Sequence, residues 1–181
     1  MNSIEKLRPI ALSSLAAIAL TVVTVAEPPN ARHFLAHLEG GQEVPVRETN
    51  ATGQTVFTLS KDETQIEYRL IVANIDNVTA AHIHLGAAGV NGPVVAFLAG
   101  DFAPAGGRVQ GVLAEGTITS ANLVGPLAGM DFSVLVAALR AGGIYVNVHT
   151  NDGSAPANTG PGDFPGGEIR GQIRAAGPSI D

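Results

Sequence analysis

From residue 33 onward, apolar and polar positions alternate in short runs broken by Gly, Pro, Asn and Asp. A two-residue period predicts strands, because successive side chains on a strand point to opposite faces. The clearest run is 64–72. There Ile66, Tyr68, Leu70 and Val72 share one face, and Gln65, Glu67 and Arg69 take the other. The run 54–59 precedes it across Lys61-Asp62-Glu63, which predicts an antiparallel hairpin. Weaker alternation over 33–38 predicts a first strand, ended by Gly40-Gly41. The chain resumes in extended form at Val44-Pro45-Val46, where Pro45 marks an edge or a loop. Further strands are expected at 80–85, 94–98, 108–117, 144–150 and 167–174. Turns are expected at 50–53 and 74–77, and a long polar loop over 151–166. In the last strand Ile169, Gly171 and Ile173 oppose Glu168, Arg170, Gln172 and Arg174.

One segment has the helical period instead. Phe132, Leu135, Val136 and Leu139 recur at i, i+3, i+4 and i+7; Asp131 or Ser133 caps the start, and Gly142-Gly143 stops it. Seven or eight short strands with one short helix in a connection predict an all-β domain, a β-sandwich of Greek-key type. The composition agrees: 22 Gly and 11 Pro supply turns, and charged residues are only 14 % of the chain.

The first residues have a different character. Lys6 and Arg8 precede an apolar run over 10–26, and Thr24-Val25-Ala26 offers small residues before Glu27. This is the pattern of a secretory signal peptide over residues 1–26. It is favoured over a retained anchor because the apolar run is at the short limit of a membrane span. The expected organisation is then a linker over 27–32, one domain over 33–175 and a frayed tail over 176–181. The expected location is secreted, periplasmic or cell-surface, with no stable membrane span after cleavage. Taking 26 residues from 181, with Lys6, Arg8 and Glu5 among them, leaves 155 residues with 8 basic and 15 acidic side chains, a formal charge of −7. An acidic chain without a basic patch argues against nucleic-acid binding. The chain has no cysteine, which excludes disulfides, thiolate chemistry and thiolate metal sites.

The candidate chemistry lies in the histidines. In Ala80-Ala81-His82-Ile83-His84-Leu85, His82 and His84 share a strand face, about 6–7 Å apart. In Ile144-Tyr145-Val146-Asn147-Val148-His149, His149 lies with Tyr145 and Asn147 opposite the aliphatic face. If the two strands are neighbours, three imidazoles converge. Three neutral imidazoles suit copper first and zinc second. A fourth position is then open to water, Asn147 or a carboxylate. Glu168 and Arg170 share a strand face. They are read either as support for the histidines or as a simple ion pair, the latter favoured. His33 and His37 are read as surface residues, and Glu43 as a solvated loop carboxylate. The glycines of 86–92 are followed by Pro93 and a strand-like run, so a phosphate loop, which needs a following helix, is excluded. No Ser-centred elbow, Cys nucleophile or carboxylate pair supports hydrolysis. The loop 151–163 lacks the spacing of a calcium-binding hand.

An ordered set of motifs carries a family resemblance. They are Phe34-x-Ala36-x-Leu38, Gln42-Glu43-Val44-Pro45, Ala80-Ala81-His82-Ile83-His84, Gly92-Pro93-Val94-Val95, Leu135-x-x-Ala138-Leu139-Arg140-Ala141-Gly142, Tyr145-Val146-Asn147-Val148-His149-Thr150 and Gly166-Gly167-Glu168-Ile169-Arg170-Gly171-Gln172. Together they resemble the CHRD domain, over about residues 33–174. The resemblance implies an extracellular, immunoglobulin-like β-sandwich. The His-x-His strand is also similar to the copper strand of copper/zinc superoxide dismutases. That family's other ligands and its disulfide are missing, so its activity is not carried over. The expected function is a secreted domain that binds copper, or zinc, through His82, His84 and His149, with Asn147, Glu168 and Arg170 in support. Superoxide-type or electron-transfer chemistry is left open. The alternative is a metal-free adhesion or protein-interaction module with an extracellular protein partner.

Overall fold

The computed structural model describes residues 31–177. The signal-peptide reading of 1–26 and most of the 27–32 linker lie outside these residues, as does the end of the 176–181 tail. The described strands are β1 (His33–Glu39), β2 (Thr52–Leu59), β3 (Gln65–Asp76), β4 (Val78–Leu85), β5 (Val94–Ala99), β6 (Arg108–Thr119), β7 (Ile144–Thr150), β8 (Ile169–Gln172) and β9 (Arg174–Ala175); one α-helix, α1 (Phe132–Arg140), precedes β7. No helix among the described residues is long and apolar enough to cross a membrane.

The all-β class with one short helix agrees with the pattern in the sequence. The expectation of two packed sheets meets a different hydrogen-bond pattern. The strands form one antiparallel path, β5-β4-β7-β8-β1-β2-β3-β6, with β9 also paired to β1. The ends of the path, β5 and β6, touch, so the sheet is nearly closed into a barrel. Continuity arises at the C-terminal segment. Tyr145 to Val148 of β7 pair with β8, Arg170 of β8 also pairs with Glu39 of β1, and β9 pairs with Phe34 and Leu35. The chain thus crosses from one half of the sheet to the other within a few residues. Ile173, which separates β8 from β9, is fully buried, and its amide donates to Ile144 O at 3.1 Å. Tyr68 fastens the other side of the barrel by donating its hydroxyl to Leu98 O at 2.7 Å.

The inward faces follow the predicted alternation. Ile66, Leu70 and Val72 of β3, Ala81 and Ile83 of β4, and Ile144, Val146 and Val148 of β7 are all in the core. Helix α1 adds Phe132, Leu135, Val136 and Leu139 to it. Asp131 caps α1 by accepting from Ser133 N at 2.8 Å, and Gly142 (φ +63°) follows its end.

Other boundaries differ. The expected turn at 50–53 gives way to β2 from Thr52, and β3 runs on to Asp76, so that Asn77 (φ +55°) alone turns the chain into β4. Val44-Pro45-Val46 is loop. The larger correction concerns the outward faces of β7 and β8. Tyr145, Asn147, Glu168, Arg170 and Gln172 are buried as thoroughly as the aliphatic residues opposite them. Alternation assigns a face, but here loops cover that face as well.

Close packing at the β8–β1 junction depends on Gly171. A Cβ there would run into the backbone carbonyl of His37. Gly171→Ala is therefore expected to destabilise the fold by about 1–3 kcal/mol, the usual range for overpacking a rigid site. Urea denaturation measures this, and an unchanged midpoint would contradict the packing described.

Candidate metal centre

Strands β4 and β7 lie side by side in the register Ala80↔His149, His82↔Asn147 and His84↔Tyr145. The aliphatic members face the core, so His82, His84, Tyr145, Asn147 and His149 stand together on the opposite face. The ring centroids of His82 and His149 are 4.7 Å apart, those of His82 and His84 5.7 Å, and those of His84 and His149 6.2 Å. One ring nitrogen from each histidine lies within 4.8 Å of the other two.

Hydrogen bonds assign the tautomers. His84 Nδ1 is 2.9 Å from Gly92 O, and His149 Nδ1 is 2.9 Å from Pro165 O. A carbonyl only accepts, so both Nδ1 atoms carry hydrogen and both Nε2 atoms present lone pairs. This is the arrangement by which backbone partners orient metal-ligating imidazoles. His82 Nδ1 stands 3.0 Å from His149 Nε2, so a hydrogen lies between them. His84 Nε2 is buried without a well-formed hydrogen bond, with the Asn147 amide beside the ring.

Burial keeps the cluster uncharged. It pushes His82 from its ordinary 6.5 down to about 4, and the neighbouring His149 and His84 add to the shift. Burial also lowers His84 and His149, partly opposed by the carbonyls of Gly92 and Pro165. Neutral imidazoles are the form that binds a metal. Bonds of about 2.0–2.1 Å to one ion require nitrogens no more than about 4.2 Å apart. A tetrahedral ion brings its ligand nitrogens to about 3.3–3.4 Å from one another, so separations of up to 4.8 Å must contract and the 3.0 Å hydrogen bond must give way. A cleft of about 430 Å³ lined by Ala80, His82, Phe97, Leu98 and Asp101 opens beside His82.

The other residues singled out by the sequence take distinct places. Asn147 is 3 % exposed, and its Oδ1 has no partner. Glu168 does not pair with Arg170 in the structure. Its carboxylate accepts from Thr49 Oγ1 (2.6 Å), Thr150 Oγ1 (2.6 Å) and Gly162 N (2.8 Å). It therefore ties two loops to the end of β7 and reaches the cluster only through Thr150, the neighbour of His149. Arg170 lies over the Tyr145 ring, its guanidinium carbon 3.4 Å from the centroid, and Tyr145 stacks on His84 at 4.9 Å. Its nitrogens donate to Asn91 Oδ1, Ala87 O and Val90 O. The glycine-rich segment 86–92 is thus a cover held down by Arg170, and it brings Gly92 O to His84. His33 and His37 are exposed on β1.

Sequence reasoning missed Glu43. The expected solvated carboxylate is 5 % exposed, because the segments 40–47 and 86–92 close over β8. Burial raises its carboxyl from 4.5 to about 7 against the opposing pull of Arg170 and Arg47. No periodic signal in a loop announces such a residue. Tyr145 and Asn147, by contrast, were placed with His149 by alternation alone.

The fold and the cluster define an all-β domain whose sheet is nearly closed into a barrel and carries three histidines on its outer face. The CHRD domain family model matches residues 34–173, and the chain belongs to that family. No curated protein and no solved structure matches the chain.

Between pH 4.5 and 7 the folded chain retains a proton on Glu43 that the unfolded chain has released. Stability therefore falls as pH rises through that window, and the penalty is complete above about pH 7. Glu43→Gln is expected to stabilise the fold by up to about 3 kcal/mol at pH 8 and by little at pH 4. Urea titrations at the two pH values decide it; equal effects at both would contradict a buried neutral carboxyl.

Proposed function

We propose that this CHRD domain is an extracytoplasmic metal-binding domain whose His82, His84 and His149 hold one ion, copper in preference to zinc. The observation that carries the reading is the tautomer pattern: two imidazoles are tied by Nδ1 to backbone carbonyls, which leaves a lone pair on each Nε2, that of His84 unpaired and that of His149 facing His82. His82 faces one of those lone pairs through Nδ1. An all-nitrogen set from three imidazoles places copper above zinc in the order of divalent-metal affinities. Arg170, through the loop it pins, supports His84, and Glu168 supports the strand end that carries His149. The basic and apolar leader and the family's extracellular character support export. The two halves of the path, joined between β8 and β1 through Glu39 and Arg170, are read as the two layers of a Greek-key, immunoglobulin-like sandwich flattened from the barrel. Any redox or Lewis-acid activity would be the ion's; the chain supplies neutral ligands and a cleft at His82.

A second reading has its own observation. Ile71 and Val112 are cross-strand partners, with Val56 diagonal to Ile71, and these three are 39 %, 44 % and 41 % exposed on β3, β6 and β2. An exposed aliphatic stripe suits an adhesion or protein-interaction module without a metal.

Protein purified without an affinity tag is expected to take up one equivalent of copper. The double variant His82→Ala/His84→Ala is expected to take up none. Burial lowers all three imidazoles, His82 to about 4, so protons are expected to release the metal at lower pH than from exposed histidines. Metal analysis checks both, and a folded wild-type protein that accepts neither copper nor zinc would shift the function to the aliphatic stripe.

A further inference from the structure

We infer that Asn147 Oδ1 is the fourth donor of this centre and that Glu43 positions the amide that carries it; the inference rests on the three-histidine reading above. Asn147 sits between Tyr145 and His149 on the loop-covered outer face of β7, opposite His82 on β4 and Arg170 on β8. Its amide lies beside His84 on one side and Glu43 on the other.

Three neighbouring atoms, Glu43 Oε1, Asn147 Oδ1 and His84 Nε2, are buried without a well-formed hydrogen bond, although the Asn147 amide faces both other groups. Each such orphan is destabilising, because it has given up its hydrogen bonds to water without replacement. His84 Nε2 cannot donate to Asn147 Oδ1, because the ring hydrogen is on Nδ1 facing Gly92 O. Two electron-pair donors therefore stand together in this amide orientation, an arrangement that a shared cation would relieve. Gly167 (φ +124°) fixes the direction of the amide. A Cβ at that position would stand 2.6 Å from Glu43 Oε1 and 2.7 Å from Asn147 Nδ2. The carboxylate oxygen and the amide nitrogen share the space a side chain would fill. A small rotation that donates Nδ2 to Glu43 turns Oδ1 toward the imidazoles. One cation then satisfies Asn147 Oδ1 and His84 Nε2, and the amide satisfies Glu43 Oε1. The resulting set, three nitrogens and one amide oxygen, suits a tetrahedral zinc or a cupric ion with a weak oxygen ligand.

The test uses the full chain loaded with Cu(II), read by electron paramagnetic resonance and by competition titration with a chelator. Asn147→Leu keeps the shape and removes the donor. It is expected to retain one equivalent of copper, with an altered copper hyperfine splitting and at least about tenfold weaker binding. Asn147→Asp replaces the amide oxygen by a charged one and is expected to bind more tightly with a distinct spectrum. Glu43→Leu should move the spectrum toward that of Asn147→Leu, and Glu43→Gln, which keeps an acceptor for Nδ2, should restore it. If Asn147→Leu fails to fold, Asn147→Asp and the Glu43 pair carry the test. A wild-type spectrum and affinity in the Asn147 variants would overturn the fourth-donor assignment, while loss of copper in His84→Ala would leave the three-histidine centre standing. A Glu43→Leu spectrum identical to wild type would remove Glu43 from the scheme. A wild-type chain that takes up no metal would overturn both readings together.

Discussion

The buried guanidinium of Arg170 organises the histidine-bearing face. It is 1 % exposed, and a charge so deeply placed is tolerated only when its donors are matched. Asn91, Ala87 and Val90 supply the oxygens, and the Tyr145 ring supplies an aromatic face. These contacts oblige the 86–92 segment to lie across the sheet. That segment then delivers Gly92 O to His84 and Gly92 N to the Tyr145 hydroxyl at 3.1 Å. Removing the guanidinium would release the cover, and with it the hydrogen bond that sets the His84 tautomer.

A second polar anchor works at the other end of the same face. Glu168 is wholly buried, and its three donors come from separate segments around residues 49, 150 and 162. Thr150 passes the link on by accepting from Phe164 N at 3.0 Å, which helps to place Pro165 O against His149. The two anchors are well satisfied. Several unsatisfied atoms gather instead around Asn147: His84 Nε2, Asn147 Oδ1 and Glu43 Oε1. Three of the seven buried side-chain atoms left unpaired among the described residues thus lie around Asn147, the others being on Thr55, Arg140, Asp163 and Gln172.

The electrostatics follow from that geometry. Three imidazoles packed together under loops cannot all accept protons, so burial and mutual repulsion keep them neutral near pH 7. The same covering loops raise the Glu43 carboxyl. The resulting environment is poor for charge of either sign on its own. It favours a cation only where several lone pairs already converge.

Much of the barrel wall was legible in the chain. Strict alternation in β3, β4 and β7 assigns Leu70, Ile83 and Val146 to the core and puts His82, His84 and His149 on the other side, because strand geometry allows no third direction. The i, i+3, i+4, i+7 spacing of Phe132, Leu135, Val136 and Leu139, with its Asp131 cap, marks α1 for the same local reason. Which strands are neighbours, and what lies over their outer faces, has no such local signature. The pairing of Ala80 with His149 spans 69 residues, and the bond between Thr49 and Glu168 spans 119. Glu43 looks solvated until the loops 40–47 and 86–92 meet above β8. Glu168 and Arg170 look like an ion pair until each finds better partners far away in the chain. Period fixes the side to which a residue points, since it is a property of adjacent peptide units. The partner it meets there depends on the closure of the whole sheet.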